Sequence, residues 1–209
     1  MTRKRLQDVD PDSFAERLNS ESDRACGVLG AALLDAKLEA IFRKRLRAFQ
    51  NELLGNMKPI GAFGARIQMA RALDWISDDV CADLDTIRAI RNDFAHSFDH
   101  DLAFTDQSVS DRCSNLKTAQ AYVDGFDIAA SAPRRKLSSE SLHAMQSAFK
   151  PPRRRFQLAV NFLAQYLDGI PADETVDPQV AFLDEVRSLS ARIRFEFKGT
   201  ATVKSPSES

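Results

Sequence analysis

An all-α fold follows from three features of this sequence. Apolar residues recur at steps of three and four over long stretches, residues that start and stop helices stand between those stretches, and no alternating pattern marks a convincing strand. The only strand candidate is the short run 193–197. The expected architecture is a compact multi-helix domain built around one long helix. A chain of 209 residues suffices for one generous domain, or for one domain with an appendage.

Residues 1–10 are polar and charged and are expected to be a disordered N-terminus. A helical domain is expected over 11–117. It opens with a short helix in which Asp10 is the N-cap and Pro11 takes the first helical position. No proline interrupts 20–54, where Leu34, Leu38, Ile41, Phe42, Leu46, Phe49 and Leu53 form one stripe and Arg43, Lys44, Arg45 and Arg47 lie on the opposite face. The spacing predicts a single helix over 20–54, about 50 Å long, with Ser20 and Asp23 at capping-box spacing. Gly27 and Gly30 lie inside it and suggest close approach of a second helix. A loop rich in glycine follows, then a helix over 63–75 with Ile67, Ala70 and Leu73 inward. Ser77 is the expected N-cap of the next helix, ahead of Asp78 and Asp79. That helix carries the stripe Val80, Leu84, Ile87, Ile90 and Phe94 and closes near Ser97. Thr105 or Asp106 opens a further helix to about 117, with Val109, Cys113 and Leu116 inward. Residues 118–150 are weakly patterned and read as a flexible or inserted segment. Helices are expected again over 151–192, packed on the core or forming an extension, the last of them opened by Pro178. The tail 193–209 is expected to be disordered from about 200.

Composition excludes several classes of function. A net charge of −1 supplies no global field toward nucleic acid or an anionic membrane, so any such contact has to be a local patch. No apolar run approaches the length that spans a bilayer, and no apolar signal region opens the chain, so a cytoplasmic location is expected. Cys26, Cys81 and Cys113 are far apart and lack metal-ligand spacing, and they read as small buried residues of a reducing compartment. His96 and His100 stand four apart without a clear third ligand. Neither a metal nor a cofactor is expected.

The string Arg91-Asn92-Asp93-Phe94-Ala95-His96 carries the most chemistry. Arginine can clamp a phosphate with two hydrogen bonds, and histidine exchanges a proton near neutral pH. The alternative is structural, with Asn92 and His96 closing a helix end and Arg91 in an ion pair. On an ideal helix Arg91 and His96 point about 140° apart, so they converge only if the helix breaks near Phe94 or a two-fold axis pairs two such ends. Arg88, Asn92 and His96 share a face, which adds Arg88 to the set. Glu21, Asp23 and Arg24, in the first turn of the long helix, either cap it or reach across to orient Arg88 or Arg91. Arg153, Arg154 and Arg155 form the best local basic patch. They read as a solvated helix start or as a nucleic-acid contact; three like charges at a helix start mildly oppose its dipole, which tilts the reading slightly towards contact.

Several segments taken together carry a resemblance. Glu21-Ser22-Asp23-Arg24-Ala25-Cys26 leads into Gly30-Ala31-Ala32-Leu33-Leu34-Asp35. Phe63-Gly64-Ala65-Arg66-Ile67 follows, and then the stretch from Asp83 through His96. Over residues 18–117 this resembles the MltR family, named for the mannitol operon repressor; residues 118–209 show no such likeness. The resemblance implies a compact helical fold and a bacterial transcriptional regulator of sugar-alcohol uptake. No tight two-helix unit with a polar recognition helix is visible, and Asp78, Asp79, Asp83 and Asp85 would repel phosphate. Direct DNA binding is therefore doubtful, and a protein partner or RNA is the expected target. The Arg91–His96 string is also similar to the signature of HEPN domains, many of which are metal-independent endoribonucleases acting as homodimers. That likeness implies that Arg91 holds the scissile phosphate, Asn92 orients it and His96 is the general acid or base. A third reading is a non-catalytic interaction module.

Overall fold

The computed structural model describes residues 6–46, 50–97, 102–121 and 147–170. All regular structure among them is helical. A short 3-10 turn, Leu6–Asp8, precedes α1 (Pro11–Ser20). The Asp10 carboxylate accepts from the Ser13 N–H at 3.0 Å, and Pro11 begins the helix where its missing N–H costs nothing. The long helix α2 spans Asp23–Arg45. Its N-cap is Ser22, whose hydroxyl accepts from the Ala25 N–H at 3.2 Å, whereas Ser20 is the last residue of α1.

The single helix expected over 20–54 is thus shorter, about 35 Å at 1.5 Å per residue. Leu46 leaves helical geometry (φ −105°, ψ 43°), and a short α3, Gln50–Leu53, follows. The end of α2 is held from the side: the Phe42 and Trp75 rings lie 4.9 Å apart, and the Arg45 guanidinium sits 4.6 Å from the Trp75 ring centroid. No glycine or proline marks this break, and apolar spacing runs on across it.

Helix α4 spans Phe63–Ala72. It ends three residues before the expected Trp75, in a Schellman turn: the Trp75 N–H donates to the Ala70 carbonyl at 2.9 Å and the Asp74 N–H to Arg71 at 3.0 Å. Asp74 takes the left-handed position (φ 55°), which aspartate tolerates better than most residues. The turn leaves Leu73 42% exposed, not inward. Helix α5 (Asp78–His96) begins at its Ser77 cap and closes at Ser97 as expected, with Val80, Leu84, Ile87, Ile90 and Phe94 all buried. Helix α6 spans Gln107–Ser114, and a further helical run covers 117–121. The last described helix, α7, spans Pro152–Gly169.

Helix α2 is the axis of the core. It packs chiefly against α5 on one side and α7 on another, α4 covers α5 and α2, and α6 bridges α5 and α7. The Phe94, Phe104 and Phe156 rings form a chain with centroids 5.0 Å apart at each step, joining α5 to α7. Parts of 118–121 and of α7 therefore belong to the domain interior. Thr118 and Ala119 are fully buried, as are Phe156, Val160 and Leu163 of α7. The remainder of the segment expected to be flexible or inserted, 122–146, lies outside the described residues. So do the helix expected from Pro178, the strand candidate 193–197, the tail, and the first half of the N-terminus expected to be disordered (residues 1–5); in its second half Leu6–Asp8 form the 3-10 turn instead. No helix among the described residues is long and apolar enough to cross a membrane.

Candidate functional site

A cleft of about 420 Å³ opens between α2, α4 and α5. Val28, Ala31, Ala32 and Asp35 of α2 form one wall, and Arg88, Arg91 and Asn92 of α5 form another. The floor is the approach to α4, residues Gly61 through Gly64. That approach is tightly built. The Gly61 N–H donates to the Lys58 carbonyl at 2.9 Å, and a Cβ on Gly61 would fall 2.0 Å from the Gly55 carbonyl oxygen. Only glycine fits there. Arg88 lies over Gly64 at the start of α4, where a Cβ would make ordinary contact with the Arg88 Nε at 3.4 Å.

Three of the four residues expected to form one polar site do share this cleft. The fourth does not. His96 is exposed on the last turn of α5, outside the lining, and has no hydrogen bond or ion pair among the described residues. Helix α5 runs unbroken through Phe94 to His96, so the break that would bring His96 round to Arg91 is absent, and the two side chains remain about 140° apart on the helix. Arg91 Nη1 donates to Asn92 Oδ1 at 2.9 Å. Arg88 Nε donates to Asp85 at 3.1 Å, and Asp85 also accepts from Gln68 at 2.9 Å.

The first turn of α2 lies elsewhere. Glu21 pairs with Arg17 at 3.3 Å. The Asp23 carboxylate is held by the Arg153 guanidinium and by the Phe104 N–H at 2.9 Å. Arg24 donates to the Ser97 carbonyl at 2.9 Å, closing the end of α5. None of the three reaches Arg88 or Arg91, because each has a nearer partner.

The basic patch Arg153, Arg154 and Arg155 turns inward on the protein. Besides Asp23, Arg153 donates to the carbonyls of Leu18 and Glu21 at the end of α1, and Arg154 donates to Asn19 Oδ1 at 2.9 Å. Arg155 donates to the Cys113 and Ser114 carbonyls, at 3.1 and 3.2 Å, at the end of α6. Cations at helix C-termini are favourable. The penalty these charges incur at the start of their own helix is offset by the ends of two others.

The polar network behind the cleft was not anticipated. Arg66, 4% exposed, donates to Asp35 and, at 2.7 Å, to Glu39, which also holds Arg43 at 2.6 Å. The Arg66 Nε has no partner among the described residues. Burial raises the Asp35 pKa, opposed first by Arg66 and more weakly by Arg91. The available signal was the spacing of Asp35, Glu39 and Arg43, one turn apart on α2. Their buried partner comes from α4, which no local pattern announces. The cysteines are as inert as their spacing suggested. All three are buried, and desolvation pushes Cys26 up to about 11 and Cys113 to about 12.

With this geometry in place, one solved protein matches. The chain is similar in structure to a chain of the MtlR–HPr complex from Escherichia coli, with a TM-score of 0.54 and 19% identity. The likeness covers 75% of this chain and 97% of that one. At that identity it shows the fold alone. No protein-family model and no curated protein matches. The MltR resemblance read from the sequence involves 100 residues (18–117) of 209, under half, so the shared fold has to reach past it. That agrees with the place of α7 in the core, one of the two arrangements expected for 151–192.

Proposed function

We propose that this chain is an MltR-type regulator that acts by binding a protein partner and not by reading DNA or cleaving RNA. The observation that carries the reading is the fold it shares with a protein solved in complex with HPr. The placement of α5 supports it. A recognition helix has to protrude into a groove, whereas α5 packs against α2, α4, α6 and α7 with its apolar stripe fully buried. The acids of α5 are a weaker argument against DNA than their number suggested. Asp78 pairs with Arg71 and Asp79 with Lys117, and Asp83 is buried.

An RNase reading requires Arg91 and His96 to converge, and within one chain they do not. A homodimer that joined two α5 ends would revive it, and light scattering at micromolar concentration tests for that dimer. The regulator reading is tested in two steps. Titration calorimetry of the full chain with HPr of its own organism should give saturable binding, and deletion of the gene should change transcripts of a sugar-alcohol operon in the cytoplasm where both would work. Absence of both effects overturns the proposal. Chelator-resistant RNA cleavage that His96→Ala abolishes would replace it with the enzyme reading.

A further inference from the structure

Asp35 is the one carboxylate lining the cleft and feels Arg91 only weakly, so the hydrogen-bond donors gathered there outnumber it. Asp35 faces Arg66, which is buried and held by Glu39 as well, so the alternating series Arg43, Glu39, Arg66, Asp35 balances to zero. Arg88 is balanced on its outer side by Asp85. Arg91 is left: it makes no salt bridge among the described residues, and its one hydrogen bond goes to Asn92 Oδ1. That bond occupies the acceptor of Asn92 and leaves its amide N–H₂ as a donor. Opposite lies the start of α4. Its cap position is Ala62, which has no side chain to offer the first-turn N–H groups, and the Arg88 side chain lies beside them over Gly64. Two guanidinium groups, an amide and a helix start thus border one cavity, whose volume of about 420 Å³ is several times what a lone phosphate needs. Apart from Asp35, which Arg66 holds, the rest of the wall is Val28, Ala31 and Ala32 with Phe63, and it suits carbon.

We propose that this cleft binds a small phosphate ester, with the phosphoryl group between Arg91, Asn92 and Arg88 at the start of α4 and the carbon body against Ala31 and Ala32. A guanidinium and an amide supply charge-assisted bonds to a dianion. The assignment does not depend on partner docking, since HPr binding is read out separately.

The experiment is a titration of the full chain with glycerol 3-phosphate, inorganic phosphate and glycerol, followed by amide NMR. Saturable shifts are expected at Gly61 and Gly64 and at the Asn92 side-chain amide, strongest for glycerol 3-phosphate and absent for glycerol. Arg91→Ala, at an exposed position, should keep the melting temperature and weaken both phosphates about tenfold or more. Ala32→Leu, which fills the apolar part of the cleft without touching charge, should abolish the advantage of the ester over free phosphate. Equal affinity for the two phosphates would overturn the ester assignment and leave an oxyanion site. Non-saturating shifts spread over surface arginines, or an Arg91→Ala variant that binds as wild type does, would overturn the site itself.

Discussion

Gly27 and Gly30 sit three residues apart on α2, yet they admit different neighbours. A Cβ on Gly27 would lie 2.4 Å from the Phe94 ring of α5, and one on Gly30 would lie 2.9 Å from the Phe156 ring of α7. Alanine at 27 gains up to about 1 kcal/mol of helix propensity, but the buried Phe94 ring cannot retreat, and overpacking costs about 1–3 kcal/mol. Gly27→Ala should therefore lower the urea midpoint. Combining it with Phe94→Leu should cost less than the two single losses added together, a coupling that a double-mutant cycle measures. That close approach was legible in the glycines themselves, because a small residue inside a helical stripe has few other uses. What was not legible is which helix fills each gap. The same limit governs the polar residues. The string from Arg91 to His96 was visible, but its division was not: Arg91 and Asn92 line the cleft and His96 does not, because their grouping depends on where α2 and α4 lie around an unbroken α5.

Helix starts were easier to read than helix ends. Asp10 and Ser77 announce α1 and α5 because a cap works through its own next turn, within three residues. The end of α2 at Arg45 had no such local mark, since it is held by Trp75 from another part of the chain. The helical run 117–121 is an extreme case, capped by a residue more than thirty positions away. Asp83, 1% exposed on α5, accepts from the Lys117 N–H at 2.9 Å and the Thr118 N–H at 2.7 Å, and from the Thr118 hydroxyl. The sequence offered Asp83 only as one more acid on a helix face. Two predictions separate these kinds of cap. Ser77→Ala should cost about 1 kcal/mol, the usual value for a lost N-cap. Asp83→Ala strands two backbone donors and a hydroxyl in the interior, so it should cost more, about 2–4 kcal/mol, with hydrogen exchange at 118–120 accelerating before exchange in α5 does.

At the scale of the whole molecule α7 is core, and its attachment involves charge as well as apolar surface. Lys37 of α2, 4% exposed, pairs with Asp168 of α7 at 2.5 Å. Asp168→Ala leaves that ammonium buried without its partner and should cost about 1–3 kcal/mol, the half-exposed carboxylate tempering the loss. A larger effect follows from how many weak acids the interior holds protonated. Burial raises Cys26 from 9.0 to about 11, Cys113 from 9.0 to about 12 and Tyr166 from 10.0 to about 12. In each case the folded state holds its proton more tightly than the unfolded chain does. Their contribution is therefore complete below pH 9, where neither state ionises. It is lost as pH rises through the interval to about 12, because the unfolded chain releases protons that the folded one retains. Each group that is ionised only when unfolded costs about 1.4 kcal/mol per pH unit. Urea melts should give a nearly constant free energy from neutral pH to 9 and a steep decline above it, and Cys113→Ala should make that decline shallower while lowering the neutral-pH plateau. A thiol reagent should likewise find all three cysteines slow in the native protein at neutral pH and fast in urea. A decline that starts well below pH 9, or rapid native labelling, would mean that α2, α6 and α7 do not close over these groups as tightly as their packing implies.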